Sequence, residues 1–369
     1  MKIALVSDRF SIGGGVEHLD QITHYLPDFT FGVFAKGGEA VDKFIDRSNV
    51  QLFPEGYNPR YLRTFKPDLI HIHHLRPLLA VYKNPLQKPD APVLYTLHGA
   101  HIRKYSFKRG VFYLPAYFIR YHLEKYLFRR VNHLITVSHS DFYLVKKLYG
   151  LQNVIHIPNG INIQKLRGSV QGKREEIRRK YRIPENNLLF LTVARFDYVK
   201  GHDVLMRAIL SIKDHLKNHS VQFVLIGEGD RFAQIQKFVK SHSLENLVIF
   251  IKKLHPVNEI MSASDVFILP SRWEGMPLVL LEAGYLKLPV IASSADAHLE
   301  IIEDGRNGII FRNQDSEHLA QVIMKVVNGQ YDLPRLAAGL YEDVVNKYDL
   351  AKSMEKLRKT YQEMVGKYF

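Results

Sequence analysis

Short apolar runs of four to six residues alternate with helix-patterned stretches along the chain, and this alternation leaves little besides parallel sheets crossed over by helices. In the first half the runs at 2–7, 30–35, 69–73, 93–98, 133–137 and 154–157 read as strands. In the second half those at 188–194, 222–227, 248–251, 265–269 and 290–293 do the same. The rhythm breaks once. After Pro158-Asn-Gly160 the chain turns polar and basic, residues 172–181 read as an exposed helix, and a new apolar strand opens at Leu188. A length of 369 residues suits two domains of ordinary size, here 1–165 and 166–350, with a last helix at 351–365.

Composition narrows the chemistry. There is no cysteine, which excludes disulfides, thiolate metal sites and thiol nucleophiles and fits a reducing compartment. The first residues, Met1-Lys-Ile-Ala-Leu-Val6, read as a buried strand and not as a signal peptide. The longest apolar aromatic segment, 111–119, is far short of the roughly 20 residues a spanning helix needs. The expected location is therefore cytoplasmic.

A net charge of +14 calls for an anionic partner or surface. Much of it is local: residues 101–130 hold eight Lys and Arg against one acid, Glu124, interleaved with Tyr and Phe. Such a segment suits an anionic membrane surface, phosphate contacts and stacking on nucleic acid, or plain packing against a core. No nucleic-acid motif accompanies it, so we expect a membrane surface and no nucleic acid.

Several groups fall at predicted strand ends, where open α/β folds bind ligands. Glu274 and Glu282 stand seven residues apart across a loop-to-helix junction, with Gly275 and Pro277 between them. Pro277 suits the first helical turn, and the N–H groups of Leu278 and Val279 then face out at the positive end of the helix. Two carboxylates beside such a cradle suit sugar hydroxyls and a phosphate; alone they are equally two surface acids. Arg195 and Lys200 follow the strand at 188–194 and supply cations for a diphosphate or simply face solvent. Gly227, in Ile226-Gly-Glu-Gly-Asp230, offers a tight turn, a weak signal by itself. Gly13, Gly14 and Gly15 let backbone approach a ligand or merely make a turn. His98 ends the strand at 93–98, near His71, His73, His74 and His101. That cluster lacks an adjacent acidic ligand, and no metal is expected.

The string Ser271-Arg-Trp-Glu-Gly-Met-Pro-Leu-Val-Leu-Leu-Glu-Ala283 resembles the signature of the retaining glycosyltransferases of family four. Thr192-Val-Ala-Arg-Phe-Asp-Tyr-Val-Lys-Gly201, Tyr95-Thr-Leu-His-Gly99 and the glycine-rich loop after the first strand resemble further elements of that family. The resemblance implies an α/β protein of the GT-B fold: two facing Rossmann-like doubly wound domains with a C-terminal helix crossing back to the first. It implies transfer of a sugar from a UDP- or GDP-sugar to a glycan or lipid-linked acceptor, without cofactor or metal, in synthesis of a cell-envelope polysaccharide, lipopolysaccharide or glycolipid. The enzyme would sit peripherally at the inner face of the cell membrane.

By the same resemblance Glu282 binds the ribose, Glu274 the donor sugar, Arg195 and Lys200 the diphosphate, and Leu254 lies near the base. His98, Gly14 and Gly15 complete the site. Ala194, Lys287 and the segment Ser294-Ala-Asp-Ala-His-Leu-Glu300 depart from the family's usual glycines, and Asn162 from a frequent aspartate. A nucleotide-sugar epimerase or a catalytically silent binding subunit are the competing readings.

Overall fold

The computed structural model describes residues 1–10, 14–84, 89–103, 114–163, 166, 174–252 and 257–368. It divides into two compact units, Met1–Asn159 with Leu350–Phe369 and Gly160–Asp349. The sequence reading sets these divisions at 165/166 and 350/351.

The first unit holds β1 (Lys2–Arg9), β2 (Thr30–Lys36), β3 (Val50–Phe53), β4 (Leu69–Ile72), β5 (Val93–Leu97), β6 (His133–Thr136) and β7 (Val154–His156). They form one seven-stranded sheet in the order β3-β2-β1-β4-β5-β6-β7, with every pairing parallel. Helices α1 (Gly14–Tyr25), α2 (Pro59–Phe65), α3 (Leu75–Val81), α4 (Leu114–Phe128) and α5 (His139–Tyr149) connect them. Strands β4 and β5 are buried at every position, as sheets covered on both faces must be. Alternate residues of β1 feed two cores: Ile3 and Leu5 one, Ala4 and Val6 the other.

The second unit holds β8 (Leu188–Val193), β9 (Val221–Ile226), β10 (Val248–Ile251), β11 (Val266–Leu269), β12 (Val290–Ser293) and β13 (Ile309–Phe311), again parallel, in the order β10-β9-β8-β11-β12-β13. Its helices are α6 (Arg174–Lys180), α7 (His202–Ser211), α8 (Lys213–Lys217), α9 (Phe232–Ser241), α10 (Asn258–Ser262), α11 (Leu278–Tyr285), α12 (Asp296–Leu299), α13 (Ser316–Val327) and α14 (Leu333–Lys347). Helix α11 lies so close to α14 that a Cβ on Gly284 would come within 2.7 Å of Leu340 Cγ. The terminal helix α15 (Leu350–Tyr368) returns to the first unit, burying Leu350, Met354, Leu357, Tyr361 and Met364 in the core that holds Ile3 and Leu5.

Two features differ from the sequence reading. Strands β3 and β13, absent from it, are edge strands of four and three residues. The helix expected to be exposed at 172–181 is half sunk: Ile177 and Arg178 of α6 are buried. The Arg178 guanidinium pairs with Asp265 Oδ2 at 2.7 Å and donates to the carbonyls of Ala263, Pro184, Glu185 and Asn187. A buried cation so fully matched replaces its lost hydration.

Strand order reverses between β1 and β4 in the first sheet and between β8 and β11 in the second. At such switch points the connections leave in opposite directions and open a crevice at the carboxyl edge. The residues following these four strands are where a ligand site is to be sought.

Candidate functional site

In the second unit the chain after β8 forms a short 3-10 turn, Tyr198–Lys200. Asp197 caps it, its carboxylate accepting from Lys200 N at 3.2 Å, and Gly201 leaves it in left-handed conformation, φ 66°. A Cβ on Gly201 would stand 2.0 Å from Pro270 O, so only glycine lets this turn lie against the end of β11. Lys200 Nζ then donates to Glu274 Oε1 at 2.6 Å across the switch point. Ser271 Oγ donates to the same oxygen at 2.7 Å.

Burial by itself would push the Glu274 carboxyl up. Lys200, His298 and the hydrogen bonds from Lys200 and Ser271 outweigh it and hold the group below its ordinary value, as the carboxylate. His298 is fully buried. Its Nδ1 lies 2.9 Å from Ser293 O, which accepts, while its Nε2 has no partner among the described residues. Burial lowers its pKa, and the nearby Glu274 only partly opposes this.

Arg272 fastens the two loops together, a role the sequence reading did not assign. It donates to both oxygens of Asp203 at 3.0 and 2.8 Å and to Tyr198 O at 2.6 Å. It also lies 4.1 Å over the Tyr198 ring. Nothing in the local sequence marks it, because its partners lie 69 and 74 residues away. Arg195 is the opposite case: its side chain is 67% exposed, with Asp197 Oδ2 3.7 Å from Nε. It is a cation at the strand edge, held loosely enough to reach a ligand.

Helix α11 begins at Leu278, with Pro277 extended at the cap position and no side chain capping the helix. This corrects the expectation that Pro277 lies in the first turn: a φ of −77° and ψ of 107° keep it outside. Leu278 and Val279 are half-buried first-turn residues, Gly275 is buried, and Glu282 is the fifth residue of the helix, half-buried. The uncapped first turn and its dipole suit an anion. Gly227, after β9, has φ 146°, and a Cβ there would stand 2.2 Å from Ala194 O. Backbone packing alone therefore requires this glycine. Leu254 lies outside the described residues.

In the first unit, residues 11–13 lie outside the described residues, and Gly14 and Gly15 open α1. A Cβ on Gly15 would meet His74 Cε1 at 3.2 Å. His98 follows β5, with its Nε2 3.1 Å from His73 Nδ1 and its ring against His18 at 5.1 Å between centroids. His71 bridges Tyr361 Oη at 2.6 Å and Thr96 Oγ1 at 2.7 Å, tying α15 to the sheet. Burial holds His71, His73 and His98 well below the usual imidazole value and His18 at about 4. Among the described residues no group of three or more His, Asp or Glu side chains is placed to hold a metal ion.

Helix α4 carries most of the described part of the basic aromatic segment, which also takes in 101–103 and 129–130; residues 104–113 lie outside the described residues. Its inner side buries Leu127, Phe128 and Glu124, and the Glu124 carboxylate accepts from Arg120 and Tyr149 Oη. Its outer side exposes Leu114, Phe118, Ile119 and Tyr126, with Arg130 5.2 Å over the Tyr126 ring. No helix among the described residues is long and apolar enough to cross a membrane.

Comparison with known proteins agrees with this geometry. Residues 173–342 match the model of glycosyl transferases group 1, and residues 40–165 match that of glycosyltransferase family 4. TuaC of Bacillus subtilis (strain 168), a protein named as a glycosyltransferase of teichuronic acid biosynthesis, is 29% identical over 81% of this chain and 72% of its own. The UDP-Gal:alpha-D-GlcNAc-diphosphoundecaprenol alpha-1,3-galactosyltransferase of Escherichia coli is 24% identical over 83% of this chain and 78% of its own. The fold is similar to that of Anabaena HepE in complex with UDP and glucose, with a TM-score of 0.82, 20% identity and coverage of 98% and 100% of the two chains. Two doubly wound units, the carboxylate–lysine pair at a switch point and both family models lead to one assignment: the chain is a glycosyltransferase of family four, with the GT-B fold.

Proposed function

We propose that the chain is a retaining, metal-independent transferase that moves a sugar from a UDP- or GDP-sugar to a glycan or lipid-linked acceptor in cell-envelope polysaccharide synthesis. The observation that carries this reading is the Lys200–Glu274 pair, 2.6 Å apart, beside the uncapped start of α11. In it, Glu274 receives the donor sugar's hydroxyls and Glu282 those of the ribose. The first-turn N–H groups of Leu278 and Val279, with Arg195 and Lys200, hold the diphosphate; Gly275 and Gly227 let backbone approach it. His98, Gly14 and Gly15 form a polar ligand surface on the first unit. HepE, in complex with UDP, and the galactosyltransferase named for UDP-Gal support a UDP donor.

In the reaction, the bond from the sugar's anomeric carbon to the diphosphate oxygen breaks. The acceptor oxygen bonds to the same face of that carbon, and its proton passes to the departing phosphate oxygen. Negative charge grows on the diphosphate, and Arg195, Lys200 and the α11 dipole stabilise it there without a metal. No side chain serves as a dedicated base.

The reading also places the enzyme on the cytoplasmic side of an anionic bilayer through residues 101–130, supported by the exposed apolar side of α4 among cations. A thermal-shift series with UDP- and GDP-sugars is the first test, because a donor that binds only folded protein raises the midpoint. Transfer to undecaprenyl-linked glycans in the presence of a chelator, with the product's anomeric configuration read by NMR, is the second. An inverted product, or loss of transfer on chelation, refutes the corresponding part. Conversion of the nucleotide sugar to its epimer without acceptor establishes an epimerase instead.

A further inference from the structure

His73 follows β4 and is 1% exposed, with Nδ1 3.1 Å from Nε2 of His98. Its other nitrogen, Nε2, is sealed from solvent and has no hydrogen-bond partner among the described residues. His98 is half-buried, and neither of its nitrogens is both sealed and unpartnered. Both rings are neutral, since burial and then the neighbouring histidines hold their pKa values well below normal. A neutral imidazole has one N–H.

Two arrangements of protons satisfy the 3.1 Å contact. If His98 donated from Nε2, the His73 proton would sit on Nε2, a buried N–H facing no acceptor. If His73 donates from Nδ1, its buried Nε2 is a bare lone pair. An unmatched buried donor is the costlier of the two.

We infer that His73 donates from Nδ1 to Nε2 of His98, fixing His98 in its Nδ1–H tautomer and making the free nitrogen of that half-buried ring a standing hydrogen-bond donor. His73 is thus a positioning residue: it decides whether His98 offers a ligand an N–H or a lone pair. Gly15, packed 3.2 Å from His74 by its would-be Cβ, lets α1 begin beside this cluster. The inference rests on the transferase reading only for what the N–H meets, a hydroxyl oxygen of a sugar.

The test is a long-range 1H–15N correlation spectrum of the ligand-free full chain labelled at its histidine rings, with His98 identified by the signals lost in His98→Gln. The proposal expects His98 protonated on Nδ1 in the wild type and on Nε2 in His73→Asp, whose carboxylate accepts and cannot donate. It expects kcat/KM to fall about ten-fold in His73→Asp, the value of one neutral hydrogen bond. His73→Asn, whose amide N–H stands in for Nδ1–H, should restore both the tautomer and most of the rate. An Nε2-protonated His98 in the wild type overturns the proposal, and so does a His98 bare at Nε2 in His73→Asp. If wild-type His98 is protonated on Nδ1 but no nucleotide sugar is turned over, the transferase reading fails and the tautomer assignment stands.

Discussion

Lys200 and Glu274 are 74 residues apart in sequence and 2.6 Å apart in space, each the answer to the other's burial. Without Lys200 the carboxylate would keep Ser271 and lose its cation, so burial would push its pKa up. Lys200→Ala should lower kcat by ~10²–10³, the usual cost of removing one group that meets charge in the transition state. It should also cost roughly 1–3 kcal/mol of stability by leaving a buried acceptor poorly matched. Glu274→Gln keeps the shape and should lose transfer with a smaller change in melting midpoint. Single-turnover rates beside thermal unfolding curves separate the two effects; full activity in both variants refutes the site.

Arg272 should matter for stability and activity together. Its two-pronged bond to Asp203 and its stacking on Tyr198 need a planar guanidinium, so Arg272→Lys is not a conservative change. We expect about 1–3 kcal/mol of destabilisation, limited because Arg207 and Arg231 also face Asp203. The donor KM should rise as the loop carrying Glu274 loosens from the turn carrying Lys200. An unchanged KM in a folded variant would show that Arg272 only supports the fold.

Much of this was legible in the sequence because strand ends in a doubly wound sheet lie on one edge, so a residue's position relative to an apolar run already places it. Arg195, Lys200, Glu274 and His98 could be placed in that way. The roles of Arg272 and His73 could not be read so. The first acts through partners brought close only by the β8–β11 crossover, and the second through a ring contact between neighbouring strands. Arg178 shows the reverse failure: a charged run suggests solvent, yet one of its cations is buried against five acceptors.

The histidine cluster should make the protein acid-labile in a definite window. His18, with a folded pKa of about 4, and His71, His73 and His98, held well below 6.5, are neutral when folded, while the unfolded chain takes up protons as pH falls through 6.5. Lowered folded values favour the folded state above the unfolded pKa, and this stability drains away as pH falls from 6.5 towards 4 and below. Each such histidine adds up to about 1.4 kcal/mol per pH unit to the slope. The melting midpoint measured between pH 7 and pH 4 should fall steeply, and His18→Asn should flatten the curve. A flat profile in the wild type would mean that the rings are charged or solvated in the folded protein.

Helix α4 gives the prediction that separates surface docking from ordinary packing. Its buried side is already satisfied by Leu127, Phe128 and Glu124, while Phe118 and Ile119 are 54% and 70% exposed and belong to no core cluster. On an anionic bilayer they would enter the headgroup boundary while Lys125, Arg129 and Arg130 met lipid phosphates, each cation contributing about 1 kcal/mol. A Phe118→Glu, Ile119→Glu double variant removes apolar area and adds repelling charge without touching the core. It should retain the wild-type melting midpoint and lose flotation with phosphatidylglycerol vesicles by ten-fold or more, as two buried side chains and two charges imply. Wild-type flotation should weaken as salt rises, because exposed charges are screened. Equal flotation of wild type and variant at low salt would refute α4 as the docking surface.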